Sequence, residues 1–510
     1  MSKQVRVRFA PSPTGPLHIG GVRTALFNYL FAKKNNGVFY LRIEDTDQNR
    51  FVPGAEAYIM EALDWLGIAP SETVGKNEKF GPYRQSERKH LYKQYADQLI
   101  NSGWAYYAFD TADALDAHRK QHEAEGRTFI YNWHNREKLD TSLVISKEAT
   151  DKRIAAGEDY VIRFKTPVNE TLHLHDIIRG DIKFETNLLD DKVLFKSDGM
   201  PTYHLANIVD DHLMETSHVI RGEEWLPSMP LHSLLYKAFG WEAPEFAHLP
   251  LILKPIGNGK LSKRDGDKMG FPVFPLEWTD ASSMTKSMGY RENGFFPEAV
   301  VNFLALLGWN DGTDQEIFSL EELAEKFNLN RVHKAGAKFD PEKNKWFNHQ
   351  YLQQQSDESL AESFKRELSV LGKDSYGMTN GVTDEKLIKI VSLIKERADF
   401  VSDFWDLSDY FFVDPTSYDE KAAKNWKEDT PNLIQQLISV LENIGDFTSV
   451  NIETIVKDWM TKNEIGMGKV MQPFRLSLVG ALKGPHLFDI VELLGKDETI
   501  KRLEKAIASL

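Results

Sequence analysis

The sequence predicts an α/β protein: a doubly wound, Rossmann-like domain that is interrupted by an α+β insertion and followed by an all-helical C-terminal region. Three observations indicate this class. Apolar residues along the first hundred positions recur with a period of two, then with a helical period, then with a period of two again. Short strand patterns replace that order from about Trp104 to Asp191. Beyond Asp340 the periodicity is helical almost throughout.

The first strand, turn and helix form the unit around which the domain is organised. Apolar residues alternate with arginines from Val5 to Phe9, as in a strand with one buried face. The stretch PSPTGPLHIGG that follows is too rich in proline and glycine for either element. An amphipathic helix is predicted from Val22. We expect the turn to point unpaired backbone N–H groups at a phosphate, with His18 beside Gly20 as a further donor.

The second predicted strand, residues 38–43, is almost continuously apolar, which is typical of a buried parallel strand. Acidic residues 44–47 follow at its carboxyl end, where open α/β sheets place their ligands. Asp45 and Asp47 are close enough in sequence to suggest a Mg²⁺ site, but a solvated strand end with Asp47 capping the next segment is the preferred interpretation. Further helices are predicted over residues 58–66 and 87–100.

Length and composition set limits on the class of protein. A chain of 510 residues is long enough for several domains. Its apolar content of 41% and charged content of 27% are those of globular proteins. We find no apolar run long enough to span a membrane and no apolar signal segment, so we expect a cytoplasmic protein. The absence of cysteine excludes disulfides, thiolate zinc sites and cysteine nucleophiles. A net charge of −14 argues against nucleic-acid binding over the whole surface, but not against a local basic face.

Three sequence blocks carry a family resemblance. RFAPSPTGPLHIGG resembles the HIGH signature region of class I aminoacyl-tRNA synthetases, specifically that of glutamyl-tRNA synthetases, with Gly21 in place of the final histidine. Residues 192–228, KVLFKSDGMPTYHLANIVDDHLMETSHVIRGEEWLPS, are similar to the second half of the glutamyl catalytic domain. Lys260-Leu261-Ser262-Lys263-Arg264 then matches the KMSKS-type loop, the other half of the class I signature.

The resemblance implies that L-glutamate is activated with ATP and Mg²⁺ to glutamyl-adenylate and then transferred to the 3′ end of tRNA(Glu). Charge accumulates on the departing pyrophosphate, so the reaction needs cations; the expected catalytic residues are His18, Lys260 and Lys263. By the same resemblance ATP is bound by His18, Gly20, Glu224 and Lys263. The residues expected to bind glutamate are Arg8, Ala10, Ser12, Glu44, Tyr203, Asn207, Arg221 and Trp225.

Within the glutamate set, two charged residues have distinct expected roles. Glu44 is assigned to the substrate ammonium. Arg221 is assigned to the side-chain carboxylate, because the guanidinium fork matches both carboxylate oxygens. Taken singly, Arg8 or Arg221 would more often be a surface residue or a structural ion pair, and Tyr203 and Trp225 would be core aromatics.

The resemblance also divides the chain. Residues 1–104 and 190–273 correspond to the catalytic domain, 105–189 to a connective insertion that grips the acceptor end of tRNA, 274–340 to a stem-contact linker, and 341–510 to the anticodon-binding region. GMGKVMQPFR, residues 466–475, resembles the anticodon-binding end, and Lys469 and Arg475 are expected to contact tRNA. Many bacterial relatives carry a cysteine-rich zinc knot in the insertion. Because this chain lacks those cysteines, we expect no zinc and an insertion held by aromatic packing of Tyr106, Tyr107, Phe109, Tyr131 and Trp133.

Four other classes of protein share part of this pattern, and each differs from the sequence in a specific way. A glutaminyl-tRNA synthetase has PPEPNG where this chain has residues 10–15, and a β-barrel anticodon domain. The tRNA-modifying glutamyl-queuosine relatives lack the helical third. A small-molecule nucleotidylyltransferase shares the signature turn but needs no helical appendage or glutamate pocket. A non-catalytic tRNA-binding paralogue should have lost His18 or Lys263, and both are present. The favoured reading is a monomer that does not bind a membrane.

Overall fold

The computed structural model describes residues 4–373 and 382–510, which form two compact units that divide between Asn344 and Lys345. The elements of the first unit are, in chain order, β1 (Arg6–Phe9), α1 (Ile19–Lys34), β2 (Val38–Leu41), α2 (Ala55–Trp65), α3 (Lys89–Asn101), β3 (Ala105–Ala108), α4 (Ala112–Ala124), α5 (Lys147–Ala155), β4 (Val161–Phe164), β5 (Thr171–Asp176), β6 (Gly180–Glu185), β7 (Val193–Phe195), α6 (Tyr203–Leu213), β8 (His218–Gly222), α7 (Met229–Phe239), β9 (Glu245–Leu249), β10 (Ile252–Leu253), α8 (Lys263–Met269), β11 (Trp278–Thr279), β12 (Lys286–Ser287), α9 (Pro297–Leu306), α10 (Leu320–Lys326) and β13 (Ala337–Lys338).

The predicted strand–turn–helix–strand unit is present, and β1 pairs in parallel with β2. One expectation is wrong: β1 is buried on both faces, because its two arginines are buried along with its apolar residues. Arg6 forms an ion pair with Glu72 at 2.8 Å, and Arg8 forms one with Asp211 at 3.1 Å. Buried charges are tolerated when they are paired and hydrogen-bonded, so the alternation of arginines did not mark a solvated face.

A four-stranded sheet has the order β6-β5-β9-β8, while β10 pairs in parallel with β13 and β11 pairs antiparallel with β12. The strands β8 and β9 are parallel, with Arg221 opposite His248 in the register. The backbone N–H of Ser217, immediately before β8, donates to the carbonyl of Arg6 at 2.9 Å, which brings β8 beside β1. Apolar residues of α3, α6 and α7, such as Leu99, Val209 and Leu235, pack with those of the strands into one core. The predicted α/β class is therefore confirmed.

A three-stranded antiparallel sheet with the order β3-β4-β7 contains two strands of the insertion, β3 and β4, and is completed by β7, which begins at Val193, beyond the expected boundary. The strand patterns predicted at residues 161–164 and 172–175 correspond to β4 and β5. Strand β5 pairs antiparallel with β6 but also lies parallel to β9, so it belongs to the larger sheet. A half-exposed hairpin pattern does not show which distant strand will pair with its outer edge. The boundaries 105–189 stay a prediction.

In the described part of the second unit, residues 345–373 and 382–510, the regular elements are helices. Helix α11 (Pro341–Gln354) spans the point of division, and the others are α12 (Asp357–Val370), α13 (Asp384–Ile394), α14 (Phe404–Ser408), α15 (Glu420–Ala423), α16 (Thr430–Glu442), α17 (Ser449–Lys462), α18 (Met467–Val479), α19 (Leu487–Leu494) and α20 (Lys496–Ser509). This confirms the all-helical C-terminal region. None of the helices described in either unit is long and apolar enough to cross a membrane.

Candidate active site

A cavity of about 500 Å³ opens at the carboxyl ends of β1 and β8, beside the N-terminus of α1. Parallel α/β sheets bind their ligands at this edge. Of the residues expected to bind ATP or to act in catalysis, His18, Gly20, Glu224 and Lys260 line the cavity. The walls also include the whole expected glutamate set: Arg8, Ala10, Ser12, Glu44, Tyr203, Asn207, Arg221 and Trp225.

His18 caps α1, and the helix therefore begins at Ile19 rather than at the expected Val22. Its Nδ1 accepts a hydrogen bond from the backbone N–H of Gly20 at 3.1 Å. Burial, with a smaller contribution from Lys260, lowers the pKa of His18 to about 4, so the ring is neutral near pH 7. A neutral ring that accepts at Nδ1 carries its proton on Nε2. Since Nε2 is buried and has no hydrogen-bond partner among the described residues, it provides an N–H donor for a ligand.

The backbone N–H groups at the start of α1 differ from the expectation of unpaired donors. The N–H of Ile19 donates to the carbonyl of Val273 at 2.9 Å, and that of Gly21 donates to the carbonyl of His18 at 2.8 Å. The N–H of Gly20 is held by the His18 ring. The expectation is wrong because the capping side chain and a carbonyl from a distant loop satisfy the first turn. What the turn offers a phosphate is the His18 Nε2–H and the positive end of the helix dipole.

Gly21, which replaces the final histidine of the common signature, is closely packed. A Cβ atom at this position would lie 2.7 Å from Cδ1 of Leu17 and 3.6 Å from Cζ of Phe9. Because the first distance is shorter than a normal contact, the buried Leu17 side chain would have to shift to accommodate a larger residue.

The two signature lysines occupy different positions. Nζ of Lys260 lies 2.8 Å from Oε1 of Glu224 at the cavity wall. Burial alone would raise the pKa of Glu224, but the hydrogen bond and charge of Lys260, a backbone hydrogen bond and the charge of Arg23 together outweigh it, and the pKa is lowered. Lys263 is the first residue of α8 and does not line the cavity. Its catalytic role therefore stays a prediction.

Arg42, directly after β2, is a fully buried cation that the sequence interpretation missed. Its guanidinium donates to Oδ1 of Asp211 at 2.8 Å and to Oε1 of Glu44 at 2.9 Å. Arg8 donates to both oxygens of Asp211, at 3.1 and 3.2 Å. Burial would raise the pKa of Asp211, but Arg8 and Arg42 outweigh it and lower the pKa. A charged residue within an otherwise apolar strand was the available signal for this network.

This network provides protein partners for two residues that were expected to bind glutamate, Arg8 and Glu44. Arg8 lines the cavity but already has a carboxylate partner. Oε1 of Glu44 accepts both from Arg42 and from Nδ2 of Asn207, the latter at 3.1 Å. Burial raises the pKa of Glu44 despite the opposing effect of Arg42. Among the described residues, hydrogen bonds to this carboxylate reach Oε1, which leaves Oε2 for a ligand ammonium.

Arg221, near the end of β8, is 5% exposed, and its guanidinium contacts neutral acceptors. Its Nε donates to Nε2 of His248 at 3.0 Å. One Nη donates to the Tyr203 hydroxyl at 3.1 Å and contacts Nδ1 of His232 at 3.2 Å, and the other donates to the Trp225 carbonyl at 3.4 Å. In the described part of the chain no ion pair joins Arg221 to a carboxylate. A buried guanidinium in this state favours an anionic ligand.

The aromatic residues form one side of the cavity mouth. The rings of Tyr203, at the start of α6, and Trp225 have centroids 4.3 Å apart and planes inclined at 34°. Trp225 is 39% exposed, so it is not a core aromatic. Ala10 and Ser12, which follow β1 in the chain, also line the cavity.

The acidic residues after β2 have local roles. A second cavity of about 330 Å³ shares Ser12, Glu44, Tyr203 and Trp225 with the first and extends to Asp45 and Asp47. The two oxygens of Asp45 accept from the N–H and Oγ of Ser86 at 2.8 and 2.6 Å. Asp47 precedes the 3₁₀ turn Gln48–Arg50 but makes no capping hydrogen bond through its side chain, so the expected cap is wrong. Across residues 4–373 and 382–510 no group of three or more His, Asp or Glu side chains is arranged to hold a metal ion.

The aromatic residues of the insertion are packed as expected. Tyr106 and Tyr131 are buried in a cluster with Ala108 and Leu139. The Tyr106 hydroxyl donates to Oδ2 of Asp191 at 2.7 Å, and the Tyr131 hydroxyl donates to Asp110 at 2.7 Å. Phe109 is also buried, whereas Tyr107 and Trp133 are half-buried. Metal-free folding of this region stays a prediction.

The two expected tRNA contacts lie on α18 in the second unit. Lys469 is exposed and forms an ion pair with the exposed Asp429 at 3.1 Å. Arg475 is half-buried and donates to the carbonyl of Lys483 at 3.0 Å. Burial lowers the pKa of Arg475; Tyr410 opposes this effect, and the nearby Arg397 adds a smaller lowering. A cation in this setting is better placed than Lys469 to accept an anionic ligand.

Comparison with known proteins identifies both units. Residues 4–346 match the family model of the catalytic domain of class I tRNA synthetases (E and Q), and residues 359–507 match that of an anticodon binding domain. The chain is 81% identical to the glutamate–tRNA ligase of Flavobacterium johnsoniae and 78% identical to that of Flavobacterium psychrophilum, in each case over the whole of both chains.

Solved structures agree. A glutamate tRNA ligase from Elizabethkingia meningosepticum, described as in complex with its amino acid, matches with a TM-score of 0.96 and 53% identity over all of both chains. The glutamate-tRNA synthetase from Elizabethkingia anophelis matches with a TM-score of 0.94 and 53% identity over 99% of this chain and 100% of that one. The chain therefore belongs to the class I tRNA synthetases of the glutamate and glutamine group and, within that group, to the glutamate–tRNA ligases.

Proposed function

We propose that the chain activates L-glutamate with ATP·Mg²⁺ to glutamyl-adenylate and pyrophosphate, and then transfers the glutamyl group to the terminal ribose of tRNA(Glu). The observation that carries the proposal is that Arg221, a buried guanidinium among neutral acceptors, lines the same cavity as His18 and Lys260. One end of the cavity thus favours a side-chain carboxylate and the other favours phosphate.

At the amino-acid end, Arg221 receives the γ-carboxylate and Oε2 of Glu44 receives the α-ammonium. The Tyr203 hydroxyl accepts from Arg221, so its own proton is available to a substrate oxygen. Arg42 and Asn207 hold Glu44 through Oε1 and fix its orientation. A neutral amide in place of the γ-carboxylate would leave the charge of Arg221 uncompensated, which disfavours glutamine.

At the nucleotide end, the neutral ring of His18 donates from Nε2 to a phosphate oxygen, and Lys260 and Lys263 stabilise the charge that develops on pyrophosphate. These groups act by position and charge, because the α-carboxylate of glutamate itself attacks the α-phosphorus and no covalent enzyme intermediate is needed. Mg²⁺ enters as a component of the ATP substrate, and we assign it no protein ligand. Gly20 and Glu224 complete the ATP site.

The remaining partners follow from the same proposal. The insertion 105–189 grips the acceptor end, residues 274–340 contact the stem, and residues 341–510 bind the anticodon arm through Lys469 and Arg475. The match of residues 359–507 to an anticodon binding domain supports the last assignment. We expect the enzyme to act as a monomer in the cytoplasm and to need no zinc.

Aminoacylation of purified tRNA(Glu) and tRNA(Gln), each tested with glutamate and with glutamine, examines the proposal directly. We expect glutamate to be attached to tRNA(Glu) and glutamine to be rejected. Attachment of glutamine to tRNA(Gln) without glutamate transfer to tRNA(Glu) would overturn it in favour of the glutaminyl enzyme.

A further inference from the structure

Three residues on neighbouring parallel strands form a hydrogen-bonded row at the edge of the sheet that bears the cavity. Asp176 ends β5, His248 lies in β9, and Arg221 lies opposite His248 in β8. Oδ2 of Asp176 is 2.6 Å from Nδ1 of His248, and Nε2 of His248 is 3.0 Å from Nε of Arg221. Asp176 and His248 are fully buried, and neither lines the cavity.

The order of donors in this row is determined by its two ends. Arg221 can only donate, so Nε2 of His248 must accept and cannot carry a proton. The proton of the neutral ring is then on Nδ1, where it donates to Asp176. Oδ1 of Asp176 accepts from the backbone N–H groups of Ile178 and Arg179 at 3.0 and 2.8 Å. Those bonds fix the orientation of the carboxylate that selects the His248 tautomer.

Two further histidines, His232 and His204, form a hydrogen-bonded pair beside Arg221. As with His248, the ring nitrogen that contacts Arg221 is an acceptor. Nδ1 of His232 faces Arg221 at 3.2 Å, so it accepts. Its Nε2 then donates to Nδ1 of His204 at 3.1 Å. Burial, followed by the charge of Arg221, lowers the pKa of His232 far below its usual value, and burial likewise lowers that of His248 despite Asp176. Both rings are therefore neutral acceptors.

Arg8 and Arg221 differ in whether a carboxylate contacts the guanidinium directly. Arg8 lines the same cavity, but both oxygens of Asp211 bond it directly and compensate its charge. In the hydrogen-bonded row, by contrast, the imidazole ring of His248 separates the carboxylate of Asp176 from Arg221. Arg221 therefore has its orientation fixed by hydrogen bonds to neutral groups, while its charge is left for a ligand.

We propose that Asp176 is a positioning residue for amino-acid specificity: by holding His248 in the Nδ1–H tautomer, it aligns Arg221 toward the cavity without neutralising it, so that the site selects an anionic side chain. This inference rests on the proposed role of Arg221 as the ligand of the γ-carboxylate. A buried aspartate that selects the tautomer of a histidine is an established device in hydrolytic triads. Here the histidine orients a cation instead of a nucleophile.

The competing explanation is that Asp176 only caps the turn between β5 and β6. The substitution Asp176→Asn separates the two roles. To keep the bonds from Ile178 and Arg179, the amide must turn its oxygen toward them and its NH₂ toward His248. The backbone N–H of His248, which donates to Oδ2 of Asp176 at 3.1 Å, then also loses that acceptor. Nδ1 must then accept, which moves the ring proton to Nε2 and sets it against the N–H of Arg221.

We expect Asp176→Asn to raise the KM for glutamate about tenfold or more, the effect of losing one charge-assisted hydrogen bond. The preference for glutamate over glutamine should fall with it, while the KM for ATP changes less than about twofold. The readout is steady-state aminoacylation by the full-length enzyme with tRNA present. Asp191→Asn is the matched control, because Asp191 is equally buried and accepts from a backbone N–H and from side chains in the insertion. It should lower stability without changing amino-acid preference.

His248→Gln provides a cycle with Asp176→Asn. Glutamine can present its amide oxygen to Arg221 but has no tautomers, so adding Asp176→Asn to it should change the glutamate KM by less than about twofold. An equal effect in both backgrounds would overturn the proposal. So would an Asp176→Asn enzyme that loses only stability, as the control does.

Two further variants cover the remaining outcomes. If Asp176→Asn does not fold, His248→Gln and His248→Leu are compared with Asp176 intact. The proposal requires the glutamine variant, which keeps an acceptor for Arg221, to retain clearly more glutamate preference than the leucine variant, and equal loss would overturn it.

Arg221→Ala tests the underlying assignment. Unchanged preference for glutamate in that enzyme would remove the proposed role of Arg221. If preference is lost in Arg221→Ala but not in Asp176→Asn, only the proposed role of Asp176 is removed.

Discussion

Nζ of Lys260 lies 2.8 Å from Oε1 of Glu224, so a cation of the second signature loop already has a carboxylate partner at the cavity wall. Both side chains are about half exposed, and an exposed pair of this kind contributes little to folding stability. The pair can therefore exchange partners at small cost when a polyphosphate enters. The pair holds Lys260 at the cavity wall, within reach of such a ligand.

Lys260→Ala should lower the rate of adenylate formation by about 10²-fold, because the lysine acts on charge that develops as pyrophosphate leaves. The measurement is ATP–pyrophosphate exchange with glutamate and tRNA present. Lys268→Ala, which removes an exposed lysine of α8, controls for net charge. A Lys260 variant no slower than this control would show that the pair with Glu224 is only structural.

Lys263→Ala distinguishes a catalytic role from ATP binding. Although Lys263 lies outside the cavity wall, it is the first residue of α8, next to the Ser262–Asp265 capping box. We expect the exchange rate to fall by about 10² to 10³ while ATP affinity changes little, since the cation would act mainly in the transition state. A fall of less than about threefold would mean that Lys263 takes no part in the chemistry.

Local patterns predicted local structure well. The periods of the first forty residues indicated β1, α1 and β2 because each element forms from neighbours in sequence. Element ends were less accurate: α1 begins three residues before the expected Val22, since the cap comes from the His18 ring rather than from a residue of ordinary capping type. The positions of the glutamate and ATP residues came from resemblance, and the structure brings all of them except Lys263 to one cavity.

Partners across the chain were not predictable in this way. Arg8 and Arg42 meet at Asp211, far away in sequence, and no periodicity links those positions. His248 lies in a largely buried strand, and no sequence pattern links it to its partners Asp176 and Arg221. Long-range hydrogen bonds of buried polar groups depend on the register of strands, which a single sequence does not specify.

Arg221→Ala should reduce the preference for glutamate over glutamine more than it reduces affinity for ATP. Removing the uncompensated guanidinium removes both the attraction for the γ-carboxylate and the penalty for a neutral amide. The measurement is kcat/KM for each amino acid, compared with the KM for ATP in the same assay. If preference were unchanged, recognition would have to come from another cation of the cavity, such as Arg8.

The insertion should fold and function without zinc. Tyr106 and Arg136 reach the buried Asp191, and this network provides the internal connections that a metal would otherwise supply. Enzyme treated with a chelator, freed of it and assayed with Mg²⁺ restored should retain full activity and contain no stoichiometric zinc by elemental analysis. Tyr106→Phe, which leaves Asp191 with one donor fewer, should lower the free energy of unfolding by about 1–3 kcal/mol. Zinc bound one to one and required for activity would contradict this expectation.

The last prediction concerns the helical unit, whose proposed contacts Lys469 and Arg475 are not equivalent. Lys469 is exposed and paired with Asp429, whereas Arg475 is half-buried, lies near Arg397, and donates to a backbone carbonyl. An arginine already held by the backbone loses less conformational entropy on binding than a flexible lysine. Arg475→Ala should therefore weaken binding of full-length tRNA(Glu) more than Lys469→Ala does.

Comparing tRNAs with different anticodons tests whether Arg475 contacts anticodon bases or phosphates. Unpaired anticodon bases can be recognised at their edges, whereas a phosphate contact carries no sequence information. We expect Arg475→Ala to weaken binding of native tRNA(Glu) about tenfold and to change binding of anticodon-substituted tRNA much less, as filter binding at fixed salt would measure. Lys365→Ala, an exposed lysine paired with Asp384 in the same unit, is the control for charge. An equal loss for both tRNAs would make Arg475 a phosphate contact, and a loss no larger than that of the control would place anticodon recognition elsewhere in the chain.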